Sequence, residues 1–266
     1  SPATCSVNMT NLKTVIIIST FISAISVNFS SGGRRKSRPP VQPRIYHGRS
    51  AAKGQFPYQV LLHIEDEAHE HIYACGGSII SRDHILTAAH CIVHAKTPGD
   101  ITVYAGTIYY ADTVERRVSQ MTMHPAYGGY NNDIAVLKLK ASLEFSDVID
   151  AIPLAKKDIP DGAPVIVSGW GNVNRFRAAY VLQYDTEYSI SRAQCLRRLG
   201  TLGSTMRCMR RPPGHGTCSG DSGGPAVHNG ELLGVNSYII NDCGLGFPDV
   251  FTDVVATRAW ILKNMT

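Results

Sequence analysis

The segment GTCSGDSGGP, residues 216–225, sets Ser222 among four glycines with Asp221 directly before it. Glycine adds no packing and costs chain entropy, so this density implies a sharply turning backbone whose N–H groups another molecule must approach. A serine hydroxyl is a poor nucleophile until a base takes its proton, and that base needs a third group to orient it. The chemistry therefore asks for a histidine and an acid elsewhere in the chain. TAAHC (87–91) offers His90 beside Cys91, where a disulfide would fix the backbone next to the imidazole. NNDIAVLKL (131–139) offers Asp133 at the head of an apolar run, where a carboxylate can be buried and still reach a partner. Each alone has a plainer reading: a surface or satisfied core histidine, a strand-start aspartate, a glycine turn. Together they point to a Ser-His-Asp triad.

Gly220-x-Ser222-x-Gly224 also fits the nucleophile elbow of α/β-hydrolases, but that fold needs the order Ser, acid, His. After Ser222 the chain has only His228, and the next acids are Glu231 and Asp242, so the order cannot be met. The order present is His90, Asp133, Ser222.

The elements that must hold these residues begin after the N-terminal segment. The net charge of +5 hints at nucleic acid, yet residues 1–44 carry six of the 26 Lys and Arg and no acid. The remainder has 20 basic against 21 acidic residues, and the nucleic-acid reading fails. From Met9, MTNLKTVIIISTFISAISV has a Lys-bearing start, an apolar stretch and small residues (Ser23, Ala24, Ser26) suited to signal-peptidase cleavage. It is too short and too interrupted for a membrane span. NFSSGGRRKSRPPVQPR then reads as a flexible solvated leader. Setting aside Cys5, six cysteines remain (75, 91, 195, 208, 218, 243), an even number that suits disulfides in an exported protein; no CxxC-type pair suggests a metal.

From residue 45 on, short apolar or alternating runs recur: 58–64, 72–80, 101–106, 133–139, 164–170 and 231–240. Such spacing predicts a β-sandwich or barrel. Only 253–266 has helical periodicity, with Asp253 as its cap.

From about Arg44 onward the chain resembles a trypsin/chymotrypsin-type serine protease zymogen. RIYHG is similar to the activation site, CGGSII and LTAAHC to the histidine region, NNDIAVLKL to the aspartate strand, SGWG to an inter-barrel segment and GDSGGP to the nucleophile loop. The resemblance implies an all-β fold of two six-stranded antiparallel Greek-key barrels packed together, with a C-terminal helix. It divides the chain into upstream residues plus signal peptide (1–26), propeptide (27–44) and protease domain (45–266). It implies Ser222 as nucleophile, His90 as base and then acid, Asp133 as orienting carboxylate, and the N–H groups of Gly220 and Ser222 as the oxyanion hole. It pairs Cys75 with Cys91, Cys195 with Cys208, and Cys218 with Cys243. Cleavage after Arg44 would free the Ile45 amine to pair with Asp221. His47 stands where most relatives have glycine.

The pocket for the side chain before the cut departs from trypsin. Gly216, followed by Thr217, stands where trypsins carry an aspartate. Ser237 and Tyr238 match a Ser-Trp pair, Ile239 replaces a wall glycine and narrows the pocket, and Asp249 replaces a second. Asp249 either accepts a basic side chain or is buried and satisfied by Thr217; a neutral, small-to-medium or mixed preference is expected. The calcium loop is absent, HEH (69–71) reads as a solvated loop, and Arg207, Arg210 and Arg211 read as a solvated surface. No metal or cofactor is expected. Expected partners are protein or peptide substrates, an activating protease cutting after Arg44, and serpin or Kunitz-type inhibitors, with no nucleic acid or membrane, for a secreted monomer. The rival function is a non-catalytic homologue acting as a binding protein or co-activator; such homologues lose a triad residue, and all three are present. Asn28 and Asn264 sit in glycan-acceptor patterns.

Overall fold

The computed structural model describes residues 6–7, 48–109, 114–128, 131–174 and 177–265. The signal segment from Met9, the propeptide, the Arg44–Ile45 bond, His47, Cys5 and Asn28 lie outside them.

Twelve strands form two closed antiparallel sheets. The first contains β1 (Gln59–Glu65), β2 (Ile72–Ile79), β3 (His84–Thr87), β4 (Ile101–Ala105), β5 (Val114–Met123) and β6 (Ala135–Leu139). The second contains β7 (Pro164–Gly169), β8 (Gln183–Ile190), β9 (Met206–Arg210), β10 (Pro225–His228), β11 (Glu231–Tyr238) and β12 (Asp249–Asp253). The first runs β2-β1-β4-β5-β6-β3 and closes through β2 and β3; the second runs β8-β7-β10-β11-β12-β9 and closes through β8 and β9. The two barrels thus share one strand order. Closure removes the unpaired edges that a β protein must otherwise protect. Two-residue pairs, Ser6–Val7 on β2 and Arg49–Ser50 on β8, add to the outside.

Each run read as a strand overlaps one, extending one or two residues beyond it at an end. Those that escaped notice, such as β5 and β8, carry charged residues: β5 has Glu115, Arg116 and Arg117 before its one buried residue, and β8 has Asp185 between two buried ones. The final helix α3 (Val254–Lys263) is as expected: Asp253 caps it, accepting from the N–H groups of Val255 and Ala256. A helix not expected, α2 (Arg192–Leu199), starts from a reciprocal Ser191/Gln194 capping box and bonds through Cys195 to Cys208 on β9. The other disulfides join Cys75 to Cys91 and Cys218 to Cys243.

The barrels share packing. Val227, Leu232 and Val235 of the second barrel, with Val254 and Ile261 of α3, join the core of Val60, Leu62, Ile85 and Leu137 from the first. The interior of the second barrel is built from Val165, Val167, Met209, Leu233 and Phe251. A buried hydrogen bond from Ser168 to Gln59 crosses the interface.

The arginine run is not the solvated surface expected. Arg207 and Arg211 are buried and Arg210 is exposed. Arg207 donates to Asp158 and to Asp253, the α3 cap, while Arg211 pairs with Asp185 and donates to the Thr186 carbonyl. Alternation along β9 and the turn after it directs 207 and 211 inward, and acids on neighbouring segments meet them. Because a buried charge stripped of its partner is costly, Arg207→Ala is expected to lower stability by about 2–3 kcal/mol. Arg210→Ala should stay within about 0.5 kcal/mol, both read from urea unfolding midpoints.

Candidate active site

Strand register brings histidine and aspartate together. On β3 and β6, Thr87 faces Ala135. His90 follows three residues after Thr87, in the one-turn helix α1 (Ala89–Ile92), and Asp133 precedes Ala135 by two. The Cys75–Cys91 bond ties that turn to β2. Before Asp133, Asn132 adopts a positive φ of 53°, held by a hydrogen bond from its side chain to the Ala126 carbonyl. Asn tolerates this region better than most residues, and the kink turns the next side chain inward.

Asp133 is buried and collects donors from both barrels. Oδ1 accepts the His90 backbone N–H at 2.9 Å; Oδ2 lies 2.7 Å from His90 Nδ1 and also accepts the Ser237 hydroxyl of β11. Its carbonyl accepts the Thr252 hydroxyl of β12. Burial alone would push the Asp133 carboxyl up, but the His90 hydrogen bond and charge and the Ser237 hydroxyl outweigh it and hold the group below its ordinary value. An ionised carboxylate only accepts, so the proton of a neutral His90 sits on Nδ1 and Nε2 keeps its lone pair. The arrangement can therefore take a proton at Nε2 and stabilise the resulting cation.

Ser222 lies in the loop between β9 and β10. Its carbonyl accepts the Gly76 N–H of β2 at 2.7 Å. The next residue, Gly223, donates to the Asn236 carbonyl of β11 and has a φ of +76°. A Cβ on Gly223 would stand 2.2 Å from Thr87 Oγ1 and 3.2 Å from the Ala88 nitrogen, so the loop presses on the segment leading into His90. Among the described residues the Ser222 hydroxyl makes no hydrogen bond, and the N–H groups of Gly220 and Ser222 donate to nothing.

Asp221 is wholly enclosed, and among the described residues it accepts only the N–H groups of Gly171 and Cys218. Cβ atoms on Gly169 or Gly171 would fall 2.1 and 2.4 Å from its carboxyl atoms. The two glycines of SGWG thus make the hollow that Asp221 fills. Burial raises its carboxyl to about 6.

In the pocket region, Asp249 is buried and its Oδ2 accepts both the N–H and the hydroxyl of Thr217, at 2.6 and 3.0 Å. A Cβ on Gly216 would lie 2.9 Å from that oxygen. The Ser237 hydroxyl goes to Asp133, and Tyr238 packs against the apolar cluster of Cys195, Met206 and Val250. Ile239 follows β11, half-buried. Sequence reading missed Glu187, which lies wholly buried against Asp249; its signal was an acid in the inward-facing phase of β8. Among the described residues, the one His/Cys/acid group tight enough for an ion is Cys75, His90 and Cys91, and its sulfurs are bonded to each other rather than free as thiolates.

Residues 45–261 match the sequence model of the Trypsin family. The chain belongs to the trypsin family. Similar members include Serine protease SP24D of Anopheles gambiae, 36% identical over 239 residues that cover 88% of this chain and 86% of the relative. Trypsin delta and Trypsin alpha of Drosophila melanogaster are each 34% identical over 262 residues, covering 95% of this chain and 99% and 98% of theirs. Within the trypsin family the chain sits among serine proteases, whose substrates are proteins. Among the described residues no helix is long and apolar enough to cross a membrane.

The crowding at Gly223 can be tested against an uncrowded glycine of similar backbone. Gly230 has a φ of +78° and nothing within 4 Å of a Cβ. Gly230→Ala should cost about 1 kcal/mol, the backbone penalty alone. Gly223→Ala should cost at least about twice that, since Thr87 and the Gly76 carbonyl must also move. Urea unfolding of the two variants measures the difference.

Proposed function

We propose that the chain is a secreted serine endopeptidase that works through an acyl-enzyme and is activated by cleavage after Arg44. Ser222 attacks the scissile carbonyl. His90 Nε2 takes its proton and returns it to the leaving amine, while Asp133 holds the imidazole in that tautomer. The N–H groups of Gly220 and Ser222 stabilise the oxyanion, each worth roughly 3–4 kcal/mol. The observation that carries this reading is the buried Asp133 carboxylate receiving both the backbone and the ring N–H of His90, with the Ser222 loop against the segment leading into that histidine.

Residues 1–26 are read as upstream sequence and signal peptide, 27–44 as propeptide and 45–266 as the protease domain, acting as a monomer outside the cell under serpin or Kunitz-type inhibition. Activation gives Asp221 a role. Its enclosed carboxyl has two backbone donors and, among the described residues, no cation. The freed Ile45 amine would supply one and order the Ser222 loop. The cleavage pocket prefers uncharged side chains, because Gly216 brings no acid and the Asp249 charge is bound to both Thr217 donors.

The chain cut after Arg44 should hydrolyse peptide substrates, and Ser222→Ala should lower kcat/KM by about four orders of magnitude or more. Activity that survives Ser222→Ala would end the reading.

Activation also has a pH signature. In the uncut chain the Asp221 carboxyl rises from 3.8 to about 6, so folding takes up a proton. The raised value imposes no cost below the unfolded value; the cost grows as pH climbs through the folded one. A paired amine removes that cost. In the Ser222→Ala background, the cut form should gain stability over the uncut form by about 3 kcal/mol between about pH 4 and pH 7, read from urea unfolding.

A further inference from the structure

Inside the second barrel, below the Gly216–Thr217 segment, two carboxyl groups meet. Glu187 points inward from β8 between the exposed Tyr188 and the half-buried Thr186. Asp249 opens β12. Glu187 is wholly buried, and neither of its oxygens receives a donor from a described residue. Two carboxylates cannot hydrogen-bond each other, so the Glu187–Asp249 contact requires a proton between them.

We propose that Glu187 is a positioning residue that shares one proton with Asp249 at the pocket floor, and that losing this proton admits an arginine or lysine side chain before the scissile bond. This rests on the serine-protease reading above.

Thr217 decides which acid keeps the proton. Its N–H and hydroxyl both favour the ionised form of Asp249, whereas Glu187 receives no hydrogen bond from a described residue. Burial, and then the Asp249 charge, push Glu187 well above the ordinary carboxylate range, with Arg211 pulling the other way. With the proton in place, the Asp249 charge is spread over Thr217 N–H, Thr217 O–H and Glu187 O–H. No part of it is left uncompensated for an incoming cation. Once the proton leaves, Glu187 adds a second negative charge with no donor next to Asp249, whose carboxylate lies beside the position that a Gly216 side chain would occupy.

Other charges face the pair. Arg211, just after β9, neutralises Asp185 of β8, which His215 also approaches at 3.2 Å. Asp221, from the Ser222 loop, lies near enough to Asp249 for its charge to be felt. None of these hydrogen-bonds Glu187. Binding a cation next to an acid must favour loss of the acid's proton, and by linkage the preference for the cation must rise with pH.

The experiment uses the chain cut after Arg44 and two peptide substrates that differ only in Arg or Leu before the scissile bond. His90 and the Ile45 amine affect both substrates alike, so the ratio of their kcat/KM values isolates the pocket. Between about pH 6 and pH 10 that ratio should rise in favour of Arg, by up to about tenfold per pH unit where the proton is lost. In Glu187→Gln, whose amide still donates to Asp249 but cannot ionise, the ratio should be flat. A second measurement needs no variant: calorimetry of benzamidine binding in buffers of different ionisation heat should show release of part of one proton. A ratio constant within about twofold in the parent, an equal rise in Glu187→Gln, or benzamidine binding without proton release overturns the proposal. Inactivity toward both substrates, with Ser222 unlabelled by a fluorophosphonate, removes the protease reading and the proposal with it.

Discussion

The buried Asp133 carboxylate is the constraint around which the molecule is arranged. A lone charge in a protein interior is costly, and it persists when donors surround it. Here those donors come from both barrels: His90 from the first, Ser237 from the second, with Thr252 bonding the backbone of the same residue. The aspartate therefore does two jobs with one set of bonds. It fixes the tautomer of the imidazole, and it sets how the barrels meet. Moving either barrel would undo both.

A second theme is space cleared for polar groups. Gly169 and Gly171 are bare so that the Asp221 carboxyl can enter, and Gly223 is bare so that the Ser222 loop can lie on Thr87. Thus glycine in SGWG and in GDSGG serves one purpose from two segments 50 residues apart. Gly216 belongs with them, its missing side chain leaving room for Asp249. The glycines look like loop punctuation along the sequence, but they record where side chains from elsewhere come to rest.

Much of this could be seen in the sequence. The glycine cluster around Ser222, the cysteine beside His90 and the apolar run after Asp133 are local patterns, and the fold they implied by resemblance is the fold present. The C-terminal helix was legible because its cap and its period lie in one short segment. What escaped depended on pairing across the chain. β8 looks polar, yet its register with β7 and β9 turns Glu187 inward. Arg207 and Arg211 look like a basic surface until Asp158, Asp253 and Asp185 arrive from other segments. Asp249 was left between two fates for the same reason, because the Thr217 donors that enclose it lie 32 positions away.

The nearness of Asp249 to the empty side of Gly216 bears on how relatives are sorted. Labels of cleavage preference are commonly keyed to one alignment column, the one six places ahead of the nucleophile. Such a label inspects a rung of the ladder, whereas a guest molecule feels only what occupies the room. In this chain that column is vacant while Asp249 stands beside it from another wall, so a census built on the column alone would never register that carboxylate.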